Sequence, residues 1–204
     1  MDERFARLLN ERVPGTALRN ALKQDVGPWP CFLQEAERVP AGPPPYHAGS
    51  LLDHLARCMD AVAGDTLAVW MALVHDAGKL TTPKSLWPHH YGHEARGVLL
   101  ATAWAVFLNM PESFARCGCM AARLHMKAGR YARLRPGTKV DLLLEVEVSP
   151  CADAFWRLVD ADTRANVSRQ ARADGDRVLT VPCDGLRGEA LRQRQIRAVG
   201  MDAL

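Results

Sequence analysis

ALVHDAGKLTTPKSLWPHHYGHEARG (residues 72–97) decides how this chain is read. It opens on an aliphatic helix end, places His75-Asp76 where that helix stops, and runs through prolines into His89, His90 and His93. All seven histidines of the 204-residue chain fall between His47 and His125. A neutral imidazole offers a metal-binding nitrogen at working pH, and imidazole clustered with carboxylate suits a divalent transition ion.

Working outward, the apolar residues recur every three or four positions, with little period-two alternation, so an all-α fold is expected. Short helices are expected over 3–11 and 16–24, split at Pro14-Gly15 with Thr16 as a cap. VPAGPPPY (39–46) reads as a stiff linker. Ser50 opens a helix carrying His54, and a second helix runs from about Asp65 into His75 and stops at Gly78. An irregular excursion (81–92) precedes a helix over 93–109. Further helices are expected from Pro111 to Lys127, over 138–148 and over 152–166. The segment 168–184 reads as polar loop, with RVLTVP (177–182) its only strand-like piece. GLRGEALRQRQIRAVG reads as a terminal helix with a basic face.

Hydrophobic content of 48% and charged content of 24% are those of a soluble globular domain. The net charge is +3, and five lysines against 21 arginines favour anionic substrates over duplex nucleic acid. MDERFARLLN lacks the apolar stretch of a secretory signal, and no run reaches membrane-span length, so a cytoplasmic protein with no membrane partner is expected. The pair Cys117 and Cys119 does not have zinc-finger spacing, and no cysteine is expected in the histidine cluster.

His54 lies inside one helix and His75 ends the next, 21 residues on. Adjacent antiparallel helices can bring the two rings together, and Asp76 projects where the helix ends. His90 and His93 share a face. His125 belongs to a later helix. Mixed His and carboxylate ligation suits Mn, Ni, Co, Fe or Zn, with Mg as a further option, and points to a catalytic ion more than a structural one. Such an ion lowers the pKa of bound water and polarises a phosphoryl oxygen. Lys79 can set an ammonium on a substrate oxyanion. His47, His89 and the tryptophans are read as structural.

LLDHLARCMD, HDAGKLTTP, PHHYGHEARG, ARLHMKAGRYARLRPGT and VDADTRA together resemble the HD-superfamily phosphohydrolase domain, most closely the one in bacterial tRNA nucleotidyltransferases (CCA-adding enzymes). The likeness covers about residues 46–200. It implies an HD-type helical bundle with a metal site between its helices, and metal ligands at His54, His75, Asp76, His93 and His125. The final aspartate ligand, counted without gaps, falls on Glu147, which keeps the oxygen but adds a methylene. Asp76 and Lys79 are the expected catalytic residues, with His90, Arg96 and Arg130 on the substrate.

The resemblance implies three segments: a helical extension with a proline-rich linker (1–45), the HD domain (46–166), and a polar loop with a C-terminal helix packed on it (167–204). It implies hydrolysis of phosphate mono- or diesters of a phosphorylated small molecule or nucleotide (phosphatase, nucleotidase or 2′,3′-cyclic phosphodiesterase). About 45 residues precede the likeness, and they hold no nucleotidyltransferase motif, so a free-standing HD domain is expected. The rival is an inactive HD-fold module whose basic helix (Arg187, Arg192, Arg194 and Arg197) grips RNA or protein.

Overall fold

Helix α4 (Thr66–Val74) is the centre of the first half of the chain: every residue from Ala68 to Val74 is buried. A helix apolar all round has to be covered on all sides. Asp65 caps it, accepting from the backbone N–H of Leu67 and Ala68. The computed structural model describes residues 1–24, 27, 29–44 and 49–200. His47 and the expected boundary at 45–46 lie outside the described residues. Packing divides the chain into two compact units, 1–125 and 126–204. Among the described residues there is no strand, only an isolated bridge between Pro40 and Ser50. The all-α class is therefore what the structure has.

In the first unit, α1 (Glu3–Leu9), α2 (Pro14–Lys23), α3 (Leu51–Ala61), α4 and α5 (His93–Phe107) precede α6 (Glu112–Gly129), which runs to the unit's end. Packing pairs α2 with α3, α3 with α4, and α1 with both α2 and α4. Ser50 opens α3 with a reciprocal cap: its Oγ accepts from Asp53 N, and Asp53 Oδ2 accepts from Ser50 N. Trp70 donates its indole N–H to the Phe114 carbonyl at 2.8 Å, tying α4 to α6.

Two expectations change here. Pro14 does not break the chain but is the first residue of α2, where a missing N–H costs nothing. Thr16 does not cap that helix; its hydroxyl donates to Asp60 on α3. Gly78 does not stop α4 either. The helix ends at Val74, and Gly78 sits inside a 3-10 turn (Ala77–Thr81) pressed against α5. A Cβ on Gly78 would lie 1.9 Å from the His93 carbonyl oxygen, so close approach is what requires glycine.

The second unit holds the end of α6, then α7 (Pro136–Glu147), α8 (Ala152–Thr163), α9 (Val167–Leu179) and α10 (Gly188–Gly200). Helix α9 packs on α7, α8 and α10, and α10 also packs on α7. The polar loop expected over 168–184 is mostly this helix, and the strand-like piece is its last turn together with residues 180–182. Asn166 caps it by accepting from Arg169 N. Its buried stripe is Ala171, Asp174, Gly175 and Val178, helical in spacing but built from small residues and an acid. Buried Asp174 accepts from Tyr131 Oη at 2.7 Å and from Gln170 Nε2 at 3.1 Å. Burial and this carboxylate push the Tyr131 hydroxyl pKa up.

Candidate metal centre

Four elements of the first unit deliver side chains to one buried point. Helix α3 supplies His54 from its interior. The end of α4 supplies His75, and the chain leaves helical geometry at Asp76. Helix α5 begins at His93, and α6 carries His125. All five side chains are buried.

Asp76 is the hub. Its Oδ2 lies 3.1 Å from His54 Nε2 and 3.5 Å from His75 Nε2. Its Oδ1 lies 3.2 Å from His93 Nε2 and 3.3 Å from His125 Nε2. The first two rings approach to 3.1 Å, the second two to 3.4 Å. One carboxylate thus divides the imidazoles into two pairs.

The opposite ring nitrogens set the hydrogens. His75 Nδ1 donates to the Ala72 carbonyl, His93 Nδ1 to that of His90, and His125 Nδ1 to those of Ala121 and Ala122. In a neutral imidazole with a hydrogen on Nδ1, Nε2 carries a lone pair. Backbone carbonyls commonly orient metal-ligating histidines this way. His54 is arranged the other way. Arg57 Nη2 lies 2.9 Å from its Nδ1, and a guanidinium only donates, so the hydrogen of a neutral His54 lies on Nε2, toward Asp76. For a cation to bond that nitrogen, the hydrogen would move to Nδ1 and Arg57 would turn aside.

Asp76 Oδ1 is buried and accepts no hydrogen bond. It faces Nε2 of His93 and of His125, and with both imidazoles neutral three electron pairs converge there. An unsatisfied buried carboxylate oxygen is costly, and a cation resolves it. The donor set fits a divalent ion, and Asp76, His93 and His125 offer ligand atoms within 4.8 Å of one another. Burial by itself would raise the Asp76 pKa. The Lys79 ammonium leads the opposing charges and holds the carboxyl well below the usual carboxylate value.

The structure also places the other expected residues. Lys79 is buried, with Nζ 2.7 Å from Asp76 Oδ2 and donating to the Ala41 carbonyl at 2.7 Å. His90 Nδ1 lies 3.0 Å from Thr82 Oγ1, and its Nε2 donates to the Pro40 carbonyl at 2.8 Å. Arg96 spreads its guanidinium over the Gly78 and Tyr91 carbonyls and the hydroxyls of Thr81 and Thr82. Arg96 holds the turn and the 81–92 excursion against α5, and His90 ties that excursion to Pro40. Arg130 belongs to the second unit and is exposed at the start of a 3-10 turn. Glu147, at the end of α7, accepts the Trp156 indole N–H on Oε1 at 2.6 Å.

The expectation that no cysteine joins the cluster is corrected. Cys58 Sγ lies 4.0 Å from His54 Nε2, as a buried free thiol. The signal was its position four residues after His54, one helical turn on the same face.

An all-helical fold that gathers a histidine, a His-Asp doublet and two later histidines around one carboxylate is the HD arrangement. The chain is a homologue of part of the multifunctional CCA proteins, in line with the motif resemblance. It is 34% identical over 159 residues to that of Nitrosococcus oceani, covering 68% of this chain and 39% of the relative. It is 35% identical over 174 residues to that of Alkalilimnicola ehrlichii, covering 81% and 42%. For Xanthomonas axonopodis pv. citri the figures are 31% over 143 residues, 69% and 32%. The chain therefore spans about two fifths or less of these relatives' lengths. No family model and no solved structure matches it. No helix among the described residues is long and apolar enough to cross a membrane.

Proposed function

We propose that this chain is a metal-dependent phosphohydrolase of the cytoplasm, acting on phosphate mono- or diesters, with nucleotides as the substrate class. The observation that carries this reading is the unsatisfied Asp76 Oδ1 facing the Nε2 atoms of His93 and His125. A cation among these three donors removes the cost of burying them together. Mn, Ni, Co, Fe and Zn are the candidate ions, with Mg further down the order for so imidazole-rich a set.

When bound, a divalent ion supplies Lewis acidity toward water and a phosphoryl oxygen. His54, His75 and Asp76 would hold one ion. His93 and His125 would hold a second ion or the phosphate itself. Asp76 orients the attacking water through whichever oxygen faces it. Lys79 offsets charge at Asp76 and at the developing oxyanion. His90 and Arg96 serve the substrate by fixing the 81–92 excursion beside it.

The test is turnover of p-nitrophenyl phosphate and its bis ester by the purified chain with Mn²⁺, Ni²⁺ or Co²⁺. Activity lost in His75→Ala and Asp76→Ala supports the reading. No turnover with any ion overturns it.

A second reading, a module that binds without hydrolysis, is favoured by Glu147, whose carboxylate is engaged by Trp156. An RNA grip by α10 has less behind it. Arg192 and Arg194 are paired with Asp141 and Asp184, which leaves Arg187 and Arg197 exposed. Salt-dependent RNA retention without turnover would favour the module.

A further inference from the structure

We propose that Cys58 is a ligand of the ion held by His54 and His75, so that this position takes a thiophilic ion, zinc above all. The inference rests on reading the cluster as a cation site, and it adds a soft donor to an otherwise nitrogen and oxygen set.

Three observations carry it. Cys58 is a free thiol with no exposed surface, four residues after His54 on α3. Its Sγ lies 4.0 Å from His54 Nε2, and the donor atoms of Cys58, His54 and His75 lie within 4.8 Å of one another. The hub of the cluster, Asp76, is 2% exposed and sets Oδ2 3.1 Å from His54 Nε2 and 3.5 Å from His75 Nε2, so a carboxylate oxygen faces the same two nitrogens as the thiol.

The spacing suits one ion. A tetrahedral ion with ordinary zinc bond lengths separates two nitrogen ligands by about 3.4 Å and a nitrogen from a sulfur by about 3.6 Å. Here the His54 and His75 nitrogens are 3.1 Å apart, and sulfur and nitrogen are 4.0 Å apart.

Binding exchanges a proton for the ion. The Sγ–H bond breaks and its proton leaves to solvent, the His54 hydrogen moves from Nε2 to Nδ1 as Arg57 turns off that nitrogen, and sulfur and Nε2 bond the ion with no change of oxidation state. Thiolate selects Zn²⁺ and Co²⁺ over Mn²⁺ and Mg²⁺. The pair formed by His93 and His125 has no sulfur near it in the proposed set and keeps the harder preference. The two pairs would then differ in the ion each takes.

The experiment is a Co²⁺ titration of the whole chain, read by absorption. The expected result is a thiolate-to-cobalt charge-transfer band in the near ultraviolet, together with visible d–d bands. In Cys58→Ser the charge-transfer band disappears, the d–d bands remain, and competition with a chromogenic chelator shows zinc held at least tenfold more weakly. Cys58→Ala must behave alike, and circular dichroism and thermal melting must show both variants folded. Should either variant fail to fold, the other decides. The exposed Cys31 and Cys183 remain in both variants and serve as internal controls.

Visible bands without the charge-transfer band in the unaltered chain overturn the proposal. So does a charge-transfer band that survives in both variants. Phosphoester turnover with Mn²⁺ but no such band sinks this inference and leaves the hydrolase reading standing. The band without turnover supports the inference and sinks the hydrolase. No cobalt binding at all overturns this inference, and the hydrolase reading falls with it only if no ion gives turnover.

Discussion

Asp76 Oδ1 and His125 Nε2 face each other at 3.3 Å with no hydrogen bond between them. His125 has already given its Nδ1 hydrogen to the backbone of its own helix. A neutral His125 then turns a lone pair toward the carboxylate, and a cation between the two would relieve the repulsion.

Metal stoichiometry should therefore divide along the two oxygens of Asp76. His93→Ala is expected to lose one bound equivalent while keeping the ion beside His54 and His75. His54→Ala should do the reverse, and Asp76→Ala should lose both. Elemental analysis after dialysis against a metal-buffered solution reads this directly. Equal losses in all three variants would show a single position.

Lys79→Met removes the ammonium 2.7 Å from Asp76 and leaves a buried carboxylate without its cation. Breaking such a pair costs about 3–5 kcal/mol. Urea unfolding with a chelator present should show a loss of that order, and added Zn²⁺ should restore much of it by replacing the lost positive charge. A loss that zinc leaves untouched would mean that Lys79 acts on packing alone.

Gly78→Ala should be among the most damaging single-methyl changes in the chain. The added carbon would stand 1.9 Å from the His93 oxygen and 2.5 Å from Gly97 N, both backbone atoms that cannot swing away. About 3 kcal/mol or more of destabilisation is expected. Zinc affinity should fall with it, since the turn after Asp76 and the start of α5 at His93 must separate. Denaturant midpoints and metal titration check the two effects.

His90 sets a pH dependence in metal-free protein. Burial disfavours its imidazolium and lowers its pKa, with the Pro40 carbonyl opposing and the Lys79 charge adding to the shift. A base with a lowered folded pKa takes up its proton more readily when unfolded. The stability it contributes is full above the unfolded value of about 6.5 and fades as pH falls through the folded value. Melting temperature should thus drop from pH 7 to pH 5 more steeply in the unaltered chain than in His90→Gln. Parallel profiles would remove His90 from this role.

The fold class and the converging histidines were legible because helical spacing and a His-Asp doublet at a helix end are local patterns. Ser50 opening α3 and Asp65 opening α4 were legible for the same reason. Helix α9 was hidden because its buried stripe uses Ala171, Gly175 and an acid, which read as loop composition. Cys58 was missed because zinc-finger spacing was sought where a single helical turn from His54 mattered. The tasks of His90 and Arg96 in bracing the 81–92 excursion depend on bonds to backbone carbonyls and threonine hydroxyls, which residue type alone does not disclose.

The two oxygens of Asp76 make occupancy a joint property of the centre. An ion drawing on one oxygen withdraws electron density from the other, and its charge repels a second arrival only a few bonds away. Loading should then proceed in two unequal steps, with the first ion setting how strongly the next is held. Scarcity of metal would leave a half-filled centre before it left an empty one.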